Sequence, residues 1–532
     1  MNRRYDVIII GAGHNGLTCA CYLARAGQSV LMLEARAVVG GAAVTEEFHP
    51  GFRNSVASYT VSLLHPRVIE DLGLAGHGLK VVFRPMSNFL PLEGGGALRV
   101  GPDMADTVAE VRRFAARDAE RLPDYYAMLD RLADALRDWV LRTPPDPNAG
   151  WRGAWESLKA GLELKRLPVE AQRDLLELFG RSAGEVLDDW FESDPIKAAL
   201  GFDSIVGAYA SPYAPGSGYV QLHHCFGEVN GRKGAWGHAI GGMGAITEAM
   251  RREAERLGVT IRLNAQVAAV TTQGERATGV RLADGVEFLA DRVVSNVGPK
   301  LLFGRLVPPE VQPPGFRERI LRLKGGSGVL RMNVALSELP DFCGLGSARQ
   351  AHHGAGIIMA PSLGYMDSAH AEARATGMSA SPVVEMLIPS TLDDSLAPRG
   401  AHVASLFCQY FAPMLPDGRS WNEEREKAAD LVIDTVTRFA PNFRASVLGR
   451  QVMTPLDLER TFGLVDGDIF HGRLSLDQLF ASRPMLGYAD YRTPLKGLYL
   501  CGSGAHPGGG VTGAPGHNAA REILADLRRG RV

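Results

Sequence analysis

The sequence predicts an α/β fold whose parallel-sheet half is split along the chain, and three observations predict it. Tyr5-Asp6-Val7-Ile8-Ile9-Ile10 reads as a buried strand that runs into Gly11-Ala12-Gly13-His14-Asn15-Gly16 and an Ala/Leu-rich helix. A second apolar run, Ser29-Val30-Leu31-Met32-Leu33, ends on Glu34, which completes a strand–turn–helix–strand–acid unit. Far along the chain, Gly497-Leu498-Tyr499-Leu500-Cys501-Gly502-Ser503-Gly504 leads through Gly508-Gly509-Gly510 into a last helix.

The opening unit has the chemistry of a Rossmann-like dinucleotide site. Gly11 permits the tight turn, Gly13 lets backbone approach a pyrophosphate, and Gly16 lets helix and strand pack closely. The helix start, with His14 and Asn15, presents free N–H groups and a partial positive charge to phosphate. Glu34, with Ala35 beside it, falls where a carboxylate holds the adenosine ribose. The same charge repels a 2′-phosphate, which disfavours NADP, although Arg36 is a partial counterweight. Val39-Gly40-Gly41-Ala42-Ala43-Val44-Thr45 then resembles the G-G-x-x-x-T stretch of FAD enzymes with the glutathione-reductase fold. FAD is therefore the expected cofactor, with Gly40, Gly41 and Thr45 among its contacts and backbone at Val267 meeting the adenine edge. Many amine oxidases carry Arg after the glycine pair, and Ala42 departs from that pattern.

Composition sets outer bounds. A chain of 532 residues has room for two or three lobes, and 45% hydrophobic with 22% charged residues is ordinary for a globular protein. A formal net charge of −2 gives no reason to expect nucleic-acid binding. No run approaches the roughly 18–20 apolar residues of a spanning helix. Met1-Asn2-Arg3-Arg4 is basic, but the apolar stretch behind it is a short strand and not a signal peptide, so a cytoplasmic setting is expected. Six cysteines form neither a C-x-x-C pair nor a metal spacing, and Cys19 and Cys21 face different ways on a helix. Neither a redox dithiol nor a metal site is expected, and His352-His353 has no ligand partner at suitable spacing.

The expected organisation alternates two lobes. Residues 1–75, 236–300 and 485–532 form the cofactor domain. Residues 76–235 form a substrate and helical cap region, and 301–484 the rest of a mixed-sheet substrate domain. Apolar spacing from Met104 to Trp139 predicts helix, with Pro123 breaking it in two. Thr143-Pro144-Pro145-Asp146-Pro147 is a loop. Helix resumes from about Ala154 to Leu200, with interruptions near Pro168 and Gly180. Gly241-Gly242-Met243-Gly244 opens another helix, followed by strands near Val259 and Ala265, a hairpin arm ending at Asp284-Gly285, and the strand Asp291-Arg292-Val293-Val294-Ser295-Asn296. Strands at Val329 to Ala335, Val383 to Ile388 and Val403 to Phe411 wall the substrate lobe. No second complete G-x-G-x-x-G follows a strand, so no nicotinamide domain is expected.

These pieces resemble the phytoene desaturase-like FAD oxidoreductases, a family that includes retinol saturase and carotenoid isomerases. The resemblance covers nearly the whole chain. It rests on the opening glycines, Gly40-Gly41 with Thr45, Gly241 to Gly244, Val293 to Asn296, and the run from Gly502 to Val511 with Gly513 and Gly516. It implies one non-covalent FAD, a hydrophobic substrate channel, and hydride exchange between a C–C or C=C bond of an isoprenoid-like molecule and flavin. Carotenoid desaturases usually read His-Pro-Gly-x-Gly before Val-Pro. Here Gly508-Gly509-Gly510-Val511-Thr512-Gly513-Ala514-Pro515 stands instead, which leaves the substrate open.

The closing glycines suit close contact with a planar ring, so Gly502, Gly509, Gly510 and Val511 are expected to cradle the flavin. His506 is the candidate acid/base near the flavin face, and a purely structural histidine is the equal alternative. Tyr219, His223 and His224 either line the pocket or pack as structure, and the second is more usual. Arg483 meets a polar head group or flavin, or is a solvated loop arginine. The stretch from Trp151 to Leu167 is basic and carries tryptophans. It either lies on a bilayer surface and admits a lipid-like substrate or packs on neighbouring helices. Oxygen or a quinone is the expected oxidant. Rival functions are an amine or amino-acid oxidase on the same fold and an FAD-stabilised regulatory protein with little turnover.

Overall fold

The computed structural model describes residues 4–146 and 150–530. Met1, Asn2, Arg3 and Pro147, expected in a basic lead and a loop, lie outside the described residues. Arg4–Ile10 occupies the middle of a seven-stranded sheet, parallel to Val30–Leu33 on one side and Glu287–Ser295 on the other. Thr260–Arg262 extends the sheet beyond Val30–Leu33, and Leu498–Leu500 pairs in parallel with the C-terminal end of Glu287–Ser295. An antiparallel hairpin, Val267–Gln273 with Arg276–Leu282, pairs with the beginning of that same strand. Three widely separated stretches of chain thus build one sheet. Val7, Ile8, Ile9 and Ile10 are all buried, as a parallel strand covered on both faces requires.

The helices His14–Arg25 and Ala514–Arg528 pack on each other, and Gly244–Arg256 packs on the first of them. Gly516 permits the first contact, because a Cβ there would collide with the Asn15 carbonyl. The two ends of the chain therefore meet directly beside the opening glycine turn.

The second lobe is a mixed sheet in the order Val447–Met453, Val329–Leu336, His402–Phe411, Met378–Leu387, Gly356–Met359, Asn88–Pro91, Ala97–Val100. Its pairs are antiparallel except Gly356–Met359 with Asn88–Pro91. One face carries Leu330, Met332, Leu406 and Cys408 onto the helix Trp421–Phe439. The other carries Val329, Phe407 and Val383 toward the helical insertion.

That insertion comprises Met104–Arg112, Ala116–Arg137, Gly150–Lys165, Val169–Gly180, Ala183–Trp190 and Asp194–Gly201. Pro123 does not break it, contrary to expectation, but lies inside Ala116–Arg137, and the break falls just before Ala116. A proline inside a helix costs about 3 kcal/mol. Here Leu122, Tyr125, Met128 and Leu129 bury a continuous face that offsets it. Gly150–Lys165 leaves its apolar stripe uncovered. Trp151 is 84% exposed, and Trp155, Leu158 and Leu162 are exposed with it at helical spacing. Among the described residues, no helix is long and apolar enough to cross a membrane.

Candidate functional site

The carboxyl ends of the central strands open into a cavity of about 460 Å³ that reaches from Glu34 to Val511 and on to the mixed sheet. At one end its walls are largely backbone. Gly11 has a φ of +92°, and a Cβ on Gly13 would stand 2.7 Å from Asn296 Nδ2. A side chain at Gly16 would collide with the Gly11 carbonyl, so this glycine serves helix–strand packing and does not itself line the cavity. The helix His14–Arg25 starts with no side-chain cap and no acidic residue in its first turn. Its first N–H groups are thereby left for an anion.

Glu34 is only 7% exposed. Its Oε2 accepts from Ala12 N–H at 2.8 Å and its Oε1 from Arg36 N–H at 3.0 Å. These bonds fix the carboxylate against the turn, and Ala35, Arg36 and Val267 line the cavity beside it. Gly40 N–H donates to Ala12 O at 2.9 Å, which presses the Gly40-Gly41 turn onto the first one. Arg36 Nη1 and Asn15 Oδ1 are buried without partners, both on residues of this cavity.

The closing turn meets the opening one. His14 Nε2–H donates to Gly510 O at 3.1 Å, and burial lowers the His14 pKa to about 4, so the ring is neutral. Asn15 Nδ2 donates to Ser503 Oγ at 3.2 Å. Gly510, Val511 and Ser503 line the cavity.

Four other expected contacts do not line the cavity. Thr45 Oγ1 accepts Gly244 N–H at 2.9 Å, which ties down the start of the helix Gly244–Arg256, and Thr45 lies outside the lining. Gly502 and Gly509 are required by packing, since side chains there would collide with the Asn296 carbonyl and the Phe470 ring. His506 is turned away from the cavity. Its Nε2–H donates to Trp139 O at 2.9 Å and its ring lies near Phe480. The polar wall of the loop therefore comes from its backbone and Ser503, not from His506.

Arg483 is neither solvated nor in the cavity. It is among the most deeply buried side chains, and it donates to the carbonyls of Ser503 (2.7 Å), Phe470 (2.7 Å), Gly472 (3.2 Å) and Gln478 (3.2 Å). Burial pulls its pKa down to about 10, still charged at neutrality. The arginine clamps the closing turn to the 470–478 loop. Tyr491 adds a second tie, donating its hydroxyl to His506 O at 2.9 Å.

The far end of the cavity is built from side chains. Tyr59 stacks on Phe407 with centroids 5.1 Å apart, His224 on Trp236 at 5.8 Å, and Val206, Leu63, Ile469 and Phe470 complete the wall. The Tyr59 hydroxyl donates to Glu385, and Arg331 lies 4.5 Å over the Tyr59 ring. Arg84 lies 5.5 Å over Trp236 and donates to Thr60. Of the histidine pair, His223 is structural, with Nε2–H donating to Gly509 O at 3.2 Å, whereas His224 lines the cavity. Asn296, at the end of a central strand, is one lining residue that strand-end logic could have found. Tyr59, Phe407 and Trp236 carry no such local signal.

Residues 16–332 match the family of flavin containing amine oxidoreductases. The chain belongs to that family. It is 42% identical to the rat pyridine nucleotide-disulfide oxidoreductase domain-containing protein 2, over 98% of this chain and 94% of the relative. It is 27% identical to the lycopene-forming phytoene desaturase of Pantoea ananas, over 98% of this chain and 99% of that one. The putrescine oxidase structure with bound putrescine shares the fold at a TM-score of 0.61 and 17% identity, covering 99% of both chains. As a member of this flavin family the protein is an FAD-dependent oxidoreductase. The uncapped helix start, the glycine cradle and the unpartnered Asn15 and Arg36 atoms fit that cofactor.

Proposed function

We propose that this oxidoreductase exchanges hydride between a C–C or C=C bond of an apolar, isoprenoid-like substrate and its flavin. Gly11, Gly13 and the first N–H groups of the following helix would hold the pyrophosphate, Glu34 the ribose, and Gly510 and Val511 the ring system. FAD, when bound, supplies the two-electron acceptor. The protein's part at the other end is to exclude water and orient an apolar chain among Tyr59, Val206, Phe407 and Trp236.

One observation carries this choice over an amine substrate. The carboxylates that line the cavity, Glu34 and Glu459, sit at the end marked by Arg36 and Phe462, and both are already engaged. At the aromatic end, guanidinium groups already lie over Tyr59 and Trp236, so these ring faces are taken and do not receive a substrate cation. Burial of an apolar substrate at about 25 cal/mol per Å² supplies the affinity. The phytoene desaturase relative supports the same substrate class. The exposed Trp151 stripe, flanked by Lys159 and Lys165, fits pick-up of such a molecule from a lipid surface, and oxygen or a quinone fits as terminal oxidant.

The test is anaerobic mixing of the FAD-loaded protein with a panel of isoprenoids and a panel of primary amines. Bleaching of the visible flavin band by isoprenoids alone is expected. Bleaching by amines alone overturns the proposal in favour of an amine oxidase. An unchanged band with every compound, and with NADH as donor for the reverse direction, favours a regulatory protein.

A further inference from the structure

Among the described residues lining the cavity, His224 alone has both ring nitrogens buried and without a partner, whereas His471 leaves only Nδ1 so. His224, on the helix Ser217–His224, is 6% exposed and lines the cavity, and neither Nδ1 nor Nε2 has a hydrogen-bond partner. Its polar neighbours are already committed. The Tyr59 hydroxyl donates to Glu385, Thr60 Oγ1 donates to Gly237 O and accepts from Arg84, and His223 donates to Gly509 O. Burial lowers the His224 pKa to about 3, and His223 beside it adds to the shift, so the imidazole is neutral. A neutral ring offers one N–H and one lone pair, and leaving both unmet in a dry wall is unfavourable.

We infer that His224 anchors an oxygen function, a hydroxyl or carbonyl, on an otherwise apolar substrate. The inference rests on the apolar-substrate proposal and narrows it, because a bare hydrocarbon would leave the ring unpaired. Arg84 already lies over the Trp236 ring that stacks on His224, so a cation–π seat for an ammonium group beside His224 is taken.

The experiment compares two probes with the FAD-loaded protein: geranylgeraniol, and the same C20 chain without its hydroxyl. A hydroxyl can either donate or accept, so it serves whichever tautomer His224 adopts. Binding is read from the perturbation of the flavin band. Wild type is expected to bind the alcohol about 10- to 100-fold more tightly. His224→Leu should bring the ratio to near one, with the hydrocarbon bound as well as before, while His224→Gln, which keeps a donor and an acceptor, retains a preference. Equal binding of the two probes by wild type overturns the inference and leaves the apolar-substrate reading standing. A preference that survives His224→Leu overturns it too. Loss of FAD affinity in His224→Leu without a change in the ratio assigns the ring to the flavin instead. Binding of neither probe, with the flavin band intact, overturns both the inference and the reading beneath it.

Discussion

The two ends of the cavity are built on opposite plans. Around Glu34 the walls are backbone, set by glycines within a short stretch and locked by Glu34 itself onto Ala12 and Arg36. Around His224 they are side chains brought from remote elements: Tyr59, Val206, Trp236 and Phe407. The first plan suits a cofactor that many proteins share, because N–H groups and a helix start recognise phosphate whatever lies beyond it. The second suits a specificity site, because each wall residue can change without disturbing a turn.

That contrast makes substitutions at the two ends fail differently. The largest effect belongs to Gly16→Val, whose side chain would collide with the Gly11 carbonyl. The purified variant should carry no flavin, whereas Phe407→Leu at the other end should carry a full complement and lose only substrate affinity. Next comes Glu34→Gln. Replacing a charged acceptor of two backbone N–H groups should weaken FAD binding by about 1.5–3 kcal/mol, roughly 10- to 150-fold, measured by fluorescence titration.

Asp203, which interacts with Glu385 and Arg84 behind the aromatic wall, adds a pH effect at that end. Desolvation, then repulsion from Glu385, raises the Asp203 pKa from 3.8 to about 7, partly offset by Arg84. The folded state therefore holds this proton more tightly than the unfolded chain. Stability from Asp203 is complete below its ordinary range and is lost as pH rises through about 7. Asp203→Asn should melt higher than wild type at about pH 8, by a smaller margin at about pH 5, and show no advantage at about pH 3. Smaller again is His506→Gln, which loosens the Trp139 contact by about 1 kcal/mol and leaves the rate of flavin reduction near wild type in stopped flow. Smallest is the double change Trp151→Ser with Trp155→Ser, which should reduce sedimentation with anionic vesicles while leaving the melting temperature unchanged.

The backbone-built end was largely legible in the sequence, because its signal is local. Gly11, Gly13, Glu34 and Gly40-Gly41 lie within one strand–turn–helix–strand unit, and the cavity gathers them. The fold class and the main strands of both lobes were legible from apolar runs and glycine turns. Legibility failed where long-range packing decides. Thr45 meets a helix start some two hundred residues away, and the short strands Asn88–Pro91 and Ala97–Val100 gain their place only by pairing, the first with Gly356–Met359 and the second with the first. For Arg483 neither a head-group or flavin contact nor a solvated loop fits, and nothing near it in sequence shows the five carbonyls that converge on it. For His506 the contact with Trp139 favours the structural alternative, and sequence could not show it because Trp139 belongs to the helical insertion.

The most direct measurement is a crystal structure of the FAD-loaded protein. The account predicts the adenosine beside Glu34 and Val267, the pyrophosphate on the start of His14–Arg25, and the ring system against Gly510 and Val511, with Tyr59, His224 and Trp236 left open to substrate. A ring system buried among Tyr59, His224 and Trp236, leaving no room there, would contradict it.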